Sequence, residues 1–193
     1  MINTEQYWEQ RYKNKDTGWD MKSVSPALKA YFDQRNNKQL QILIPGAGNA
    51  YEAEYLFLNE FENVFVTDIA KTPLENLRER VPDFPESHLW QSNIFDIEGE
   101  FDLIIEQTFF CALPPQLRRE YAKKMHALLK PEGKLTGLLF DFPLTKDGPP
   151  FGGSKSEYLN YFEPLFEIKT FERCHNSHPK RQGKELFFQF IKK

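Results

Sequence analysis

The stretch Pro45-Gly46-Ala47-Gly48 is the first place where residue types and spacing could do chemistry. It ends a short apolar run, Leu40 to Ile44, and leads into a helix expected from Tyr51 to Leu58. Two glycines one residue apart let the backbone turn sharply and leave no side chain between it and a ligand. The new helix offers free N–H groups at its start. A second apolar run, Val64-Phe65-Val66, ends in Thr67-Asp68. Strand, glycine turn, helix, strand and acid form the layout that holds the ribose of a nucleotide-like cofactor. Gly-x-Gly without a third glycine also occurs in ordinary αβ turns, so the bland reading stays open at this point. The second place is aromatic. Tyr7, Trp8, Arg11 and Tyr12 share one face of a helix expected over residues 3–13, with Asn3 or Thr4 as its cap, and Trp19 follows in a Gly-Trp-Asp turn. These rings either pack on the domain or form a lid over a bound cofactor.

The elements that position these residues alternate. A helix is expected from Pro26 to about Gln34, and one from Pro73 to about Arg80 with Thr72 as its cap. A third strand covers His88 to Gln91, followed by the irregular turn Ser92-Asn93-Ile94-Phe95-Asp96. Phe101 to Glu106 is a fourth strand, apolar enough to be buried on both faces. Pro114-Pro115 opens a helix to Lys130, stopped by Pro131-Glu132-Gly133, and a fifth strand runs from Lys134 to Phe140. This alternation predicts an α/β fold with a parallel sheet and helices on both faces. The Pro/Gly-rich stretch from Asp141 to Ser154 is a long loop of the functional or disordered kind. A short helix over residues 156–161 and two strands, 165–172 and 185–192, follow as an antiparallel pair. The expectation is a single domain over residues 1–193, with residues 1–36 as an N-terminal arm.

Composition narrows the function. The chain has 193 residues, with Lys plus Arg at 25, Asp plus Glu at 28 and a net charge of −3, so no basic face for nucleic acid is implied. The 18 phenylalanines suggest an aromatic-lined cavity or, more ordinarily, a Phe-rich core. No apolar run approaches the ~20 residues that span a bilayer, and the N-terminus lacks the features of a signal peptide. Two cysteines, Cys111 and Cys174, make no disulfide framework and fit reduced thiols in the cytoplasm. Cys111 lies in an apolar run and reads as an inert buried thiol. No metal-ligand spacing is present. His126 reads as a surface residue, His175 and His178 as rim candidates, and Lys180-Arg181 is too short to be a nucleic-acid patch.

The order and spacing of several motifs carry a resemblance. They are Tyr7-Trp8-Glu9-Gln10-Arg11-Tyr12 with Gly18-Trp19-Asp20, Ile44 to Gly48, Asn93 to Asp96, Phe101 to Ile104 and Phe109 to Leu113. Pro115 to Arg118 with Tyr121-Ala122, Gly148-Pro149-Pro150-Phe151 and Gly183-Lys184-Glu185 complete the set. The chain resembles the thiopurine S-methyltransferase and plant halide/thiol methyltransferase group of S-adenosylmethionine (SAM)-dependent enzymes, from about Tyr7 to its end. The resemblance implies a Rossmann-like class I methyltransferase fold: a mostly parallel seven-stranded sheet with an antiparallel C-terminal pair. It implies a SAM pocket yielding S-adenosylhomocysteine. Asp68 would accept both ribose hydroxyls. Gly46 and Gly48 would admit the methionine portion, and Asn93 and Ile94 would hold adenine. Glu106 and Gln107 would face the α-amino and sulfonium end. Trp8, Tyr12 and Trp19 would close over SAM, with an aromatic face attracting the sulfonium cation.

It further implies methyl transfer by SN2 displacement to a small soft nucleophile (a thiol, bisulfide, halide or thiopurine-like acceptor). Trp19, Phe110, Phe151 and Tyr158 are candidate walls for that acceptor. Arg118 either attracts an anionic acceptor or is a solvated helix residue beside Arg119. No convincing general base stands out. Ala47 stands where the family usually has Cys or Leu, Tyr12 where it has Trp, and Glu106 where it has Asp. Thiopurine enzymes have Arg where Gln107 stands, which weighs against a thiopurine acceptor. A cytoplasmic monomer with a small-molecule acceptor, without nucleic-acid or membrane partners, is the expectation. A SAM-binding module without efficient catalysis, and an NAD(P)-binding domain, are the alternatives.

Overall fold

The computed structural model describes residues 4–146 and 148–193. Its strands make a mostly parallel seven-stranded sheet in an α/β fold. The chain divides into two compact units, residues 1–97 and 98–193. In the first, helices α1 (Glu5–Lys13) and α2 (Pro26–Phe32) precede strand β1 (Ile42–Pro45). Helix α3 (Tyr51–Leu58), β2 (Val64–Asp68), α4 (Lys71–Arg80) and β3 (Leu89–Gln91) follow. The strands lie in the order β3-β2-β1, all parallel, with Ile44 opposite Val66 and Asp68 opposite Gln91. Apolar runs make these strands: Ile42, Leu43, Ile44, Val64 and Val66 are buried to 1% exposure or less. The register lines up the carboxyl ends of β1 and β2, where open α/β sheets bind ligands.

The second unit holds β4 (Phe101–Gln107), α5 (Arg118–Leu128), β5 (Leu129–Phe140), α6 (Lys155–Phe162), β6 (Phe166–Arg173) and β7 (Glu185–Lys192). Its strand order is β4-β5-β7-β6, with β4 and β5 parallel and the last two pairings antiparallel. Gly137 on β5 pairs with Glu106 on β4, and a Cβ there would collide with the Glu106 carbonyl, so only glycine lets the strands close at the end of β4. The phenylalanine surplus sits in this unit's core. Phe162, Phe166, Phe188 and Phe190 are fully buried, and Phe188 and Phe190 lie 4.5 Å apart, centroid to centroid.

Several boundaries differ from the sequence expectation, each for a physical reason. Helix α1 begins at Glu5, capped by the Thr4 hydroxyl, which accepts from the Tyr7 N–H at 3.2 Å; the other expected cap, Asn3, lies outside the described residues. The helix after Pro114 starts as a 3₁₀ turn and becomes α-helical only at Arg118. It ends at Leu128, because Pro131 disfavours helical geometry at Lys130 and lacks a donor of its own, so β5 starts at Leu129. His126 is half-buried, its ring edge-on to Phe166 at 5.6 Å, and not a surface residue. Among the described residues no helix is long and apolar enough to cross a membrane.

The cap of α4 is the most instructive departure. Thr72 is not its cap; the cap position is Ala70, which has no side-chain acceptor. Glu9 of α1 supplies one instead. Its carboxylate accepts from the Lys71 N–H (3.0 Å), the Thr72 N–H (3.1 Å) and the Thr72 hydroxyl (2.6 Å). A carboxylate at a helix N-terminus satisfies orphan donors and meets the positive end of the helix dipole. The arm is therefore anchored to the first unit through a helix cap. Glu9→Ala should lower stability by about 1 kcal/mol in urea unfolding. Lys13→Ala, which removes only an exposed ion pair to the same carboxylate, should cost less than about 0.5 kcal/mol.

Candidate active site

In the first unit, four of the residues singled out from the sequence converge. The turn after β1 places Gly46 (φ 54°) and Gly48 (φ 55°) in the left-handed region, where a side chain is strained. A Cβ on Gly48 would also stand 3.1 Å from the Tyr12 hydroxyl and 3.7 Å from the Trp19 indole nitrogen. The Trp19 indole N–H donates to that hydroxyl. Asp68, at the end of β2, sends Oδ2 to the Gly48 N–H (3.0 Å) and Oδ1 to the Ala70 N–H (2.9 Å). One carboxylate thus fixes the glycine turn against the next helix. Each oxygen has a second lone pair for a ligand hydroxyl.

Aromatic rings cover this cluster. Trp19 stands edge-to-face with Trp8 at 5.5 Å and with Tyr12 at 5.6 Å. The Arg11 guanidinium lies 4.8 Å from the Trp19 ring and donates to the Tyr7 hydroxyl at 3.1 Å, so the predicted shared face of α1 is real. Two residues that sequence reasoning gave no role hold the Trp19 turn. Asn49 donates to Asp20 at 2.6 Å and accepts from Asn76 at 2.8 Å. The signal was present, since Asp20 belongs to Gly18-Trp19-Asp20 and Asn49 follows Gly48. Beyond β3, the Ser92 N–H donates to the Asp68 carbonyl (3.1 Å), which sets the next turn beside the carboxylate's own residue. There Ile94 is buried, while Asn93 is exposed and accepts from the Phe95 N–H of its own turn at 3.1 Å.

Burial raises the Asp68 carboxyl from its usual 3.8 to about 6, against the pull of its backbone donors. Burial and the Asp68 charge push the Tyr12 phenol upward, so it remains a protonated donor.

The second unit gathers Glu106, Gln107, Phe110, Arg118, Phe151 and Tyr158, and the chain itself engages Glu106 and Arg118. Glu106 is fully buried. Its Oε1 accepts from the Phe109 and Phe110 N–H groups, both at 2.8 Å, and its Oε2 from the Tyr121 hydroxyl. The carboxyl is spent on shaping the turn after β4, and burial raises it from 4.5 to about 7. Gln107 is the contrast: both its amide nitrogen and its amide oxygen are buried without a partner. Such an orphaned amide fits a polar ligand group.

Arg118 is not a solvated helix residue. It is 0% exposed and donates to Glu157 (2.7 Å) and to the Phe151 and Gly152 carbonyls (3.3 and 2.8 Å). Its guanidinium lies 4.9 Å from the Phe110 ring and 5.6 Å from Tyr158. Its charge ties the Pro/Gly loop to α5 and α6. The Phe151 N–H donates to the Cys111 carbonyl at 2.7 Å, and the Tyr158 hydroxyl to the Phe140 carbonyl at 2.7 Å. Burial and the Glu106 charge push the Cys111 thiol upward, as an inert thiol requires.

The family described as Thiopurine S-methyltransferase (TPMT) matches residues 3–192 of this chain. The chain is 31% identical over 163 residues to "Probable thiol methyltransferase 2" of Arabidopsis thaliana, covering 82% of this chain and 72% of that protein. It is 28% identical over 184 residues to "Thiocyanate methyltransferase 1" of the same plant, covering 92% and 81%. Among solved structures it is similar to the 1,6-didemethyltoxoflavin-N1-methyltransferase of Burkholderia thailandensis with bound 1,6-didemethyltoxoflavin and S-adenosylhomocysteine. That likeness has a TM-score of 0.71 at 20% identity, over 97% of this chain and 89% of that one. At that identity it speaks for the fold.

The Asp68 carboxyl gives a pH signature. A ligand whose hydroxyls need the ionised form should bind with constant affinity above pH 7 and lose about tenfold per pH unit below about 6. Titration calorimetry with S-adenosylhomocysteine from pH 5 to 8 reads this. The same raised pKa works the other way on the unliganded fold: its contribution to stability is full below about 3.8 and is lost as pH rises through about 6. Arg118→Ala should cost about 3 kcal/mol in unfolding, because it leaves two carbonyls and Glu157 without their donor. The nucleoside affinity of the folded fraction should stay within threefold.

Proposed function

The chain belongs to the thiopurine S-methyltransferase family and is a SAM-dependent methyltransferase, and on that premise we propose that it transfers the methyl group to a small soft nucleophile (a thiol, bisulfide or halide) by in-line displacement. The observation that carries the reading is the Asp68–Gly48–Tyr12–Trp19 cluster, a buried carboxylate and a left-handed glycine under two aromatic rings. Family membership removes the NAD(P)-binding alternative.

In this reading Asp68 accepts the ribose hydroxyls, and Gly46 and Gly48 let the amino-acid portion approach the backbone. Asn93 and Ile94 border the adenine. The orphaned amide of Gln107 takes the α-amino end. Glu106 acts as a positioning residue that shapes the turn carrying Phe109 and Phe110. Trp8, Tyr12 and Trp19 form the lid of the 1–36 arm, and the face of an aromatic ring attracts a cation by about 0.5–2 kcal/mol. SAM supplies an electrophilic methyl group on a sulfonium. The chain's own contribution is alignment and exclusion of water, with Phe110, Phe151 and Tyr158 as packed walls and Arg118 holding their loop. The relatives named for thiol and thiocyanate acceptors support a soft nucleophile, and Gln107 weighs against thiopurines. A cytoplasmic monomer acting as one domain over residues 1–193 completes the proposal.

The test mixes protein and SAM with bisulfide, ethanethiol, thiocyanate or iodide and reads the volatile methyl product in the headspace. Product is expected with at least one of them. Tight S-adenosylhomocysteine binding with no product from any acceptor would leave a binding module without catalysis.

A further inference from the structure

The side chain of Asn49 joins three segments of the first unit. It follows Gly48 in the turn after β1 and is half-buried. Its Nδ2 donates to Oδ2 of Asp20, in the arm, at 2.6 Å. Its Oδ1 accepts from Nδ2 of Asn76, on α4, at 2.8 Å. The Asn49 carbonyl accepts from Nη2 of Arg80, one helical turn further along α4. Arg80 is fixed in its own right, by Oε2 of Glu54 at 2.8 Å.

The backbone shows what these bonds hold in place. Asn49 stands between Gly48 (φ 55°) and Ala50 (φ 54°). Left-handed geometry at a residue that carries a Cβ is strained, and it persists only where the surroundings over-determine it. Strain of this kind gathers at sites where the path of the chain matters to function.

Asp20 connects this clamp to an aromatic ring. It is the residue after Trp19. Its Oδ1 accepts from the Lys22 N–H at 2.7 Å, and its own N–H donates to the Thr17 carbonyl at 2.9 Å, so its carboxylate and backbone belong to one tight turn. Trp19 is thereby pinned at two points. Its indole nitrogen is held by the Tyr12 hydroxyl. The turn that carries it is held by Asn49. An amide suits the second pin, because it donates to a carboxylate on one side and accepts from Asn76 on the other. A carboxylate can only accept, and an alkyl group does neither.

We propose that Asn49 is a positioning residue for the cofactor, which keeps the Trp19 turn in register with Gly48 so that ring and glycine turn meet a bound nucleoside at one fixed spacing. The inference rests on the reading of the Asp68–Gly48–Tyr12–Trp19 cluster as the cofactor site, and it names what holds the lid of that site at its working distance. Asn49 acts on the ligand through Trp19.

The experiment measures S-adenosylhomocysteine binding to the full-length chain by calorimetry at pH 8, under conditions where urea unfolding shows each variant folded. It needs no methyl acceptor. Asn49→Asp sets a carboxylate against Asp20 while keeping size and the bond from Asn76, and it should lose about tenfold in affinity. Asn49→Ala removes both bonds without adding charge. It should lose affinity in the same direction, and it takes over the comparison where the charged variant unfolds. Adding Asp20→Asn to Asn49→Asp exchanges donor and acceptor across the pair and leaves the Lys22 and Asn76 bonds possible. This double variant should return to within threefold of wild type. On a Trp19→Ala background, Asn49→Asp should cost less than about twofold more, because its effect runs through the ring that is already gone. Wild-type affinity in both Asn49 variants would overturn the proposal, and so would failure of the exchanged pair to restore binding. A tenfold loss that persists without the Trp19 ring would overturn it too, since Asn49 would then touch the ligand directly. Losses in Asp68→Ala and Trp19→Ala alongside any of these results would leave the cofactor site standing. Wild-type affinity in both Asp68→Ala and Trp19→Ala would sink the site and this proposal together.

Discussion

The bond from the Gly48 N–H to the Asp68 carboxylate is the constraint on which the first unit's ligand-binding geometry depends. It joins the turn after β1 to the end of β2 and holds a carboxyl group where little water reaches it. The remaining features follow from that placement. Both glycines suit the left-handed turn, and a Cβ on Gly48 would crowd the Tyr12 hydroxyl at 3.1 Å. Tyr12 stays protonated because it is buried and the charge beside it is negative. Trp19 can lie on Tyr12 because Asp20 and Asn49 fix its turn from the other side. A carboxylate in such a place is a liability to the empty fold, and in the proposed reading a ligand hydroxyl repays the desolvation.

The second unit handles buried charge differently. Glu106 and Arg118 are both fully buried, but neither is offered to a ligand. Each is held by the chain: Glu106 by two backbone donors and a phenol, Arg118 by a carboxylate, two carbonyls and two rings, with only its Nε left without a partner. They are fixed pins that set the turn after β4 and the path of the Pro/Gly loop. Against them, Gln107 is a buried amide with neither its nitrogen nor its oxygen paired. An unpaired buried amide is a place where a group from outside can complete the bonding.

Most of the fold could be read from the sequence because its strands are short apolar runs with acids and glycines at their ends. β2 and β4 were placed within a residue or two, and α3 as found. What escaped was non-local. The cap of α4 comes from Glu9, more than sixty positions upstream, so a local search chose Thr72. The partner of Arg118 lies 39 positions downstream, and no helical periodicity reveals a pair that closes across a loop. The positions of Asp68, Gly48, Tyr12 and Trp19 were legible because each is a residue type whose constraint is local: a strand end, a turn, a ring on a helix face.

The Glu9 cap has a kinetic consequence. One carboxylate gathers three donors at the start of α4, and the helix that supplies it, α1, carries Trp8 and Tyr12. Swinging that helix away as a rigid body strips the first turn of α4 of its acceptor. The arm cannot move without loosening a helix that packs on β2 and β3. Opening is thereby tied to the fraying of a second element, and because the three bonds are lost on opening they favour the closed arrangement and slow its opening.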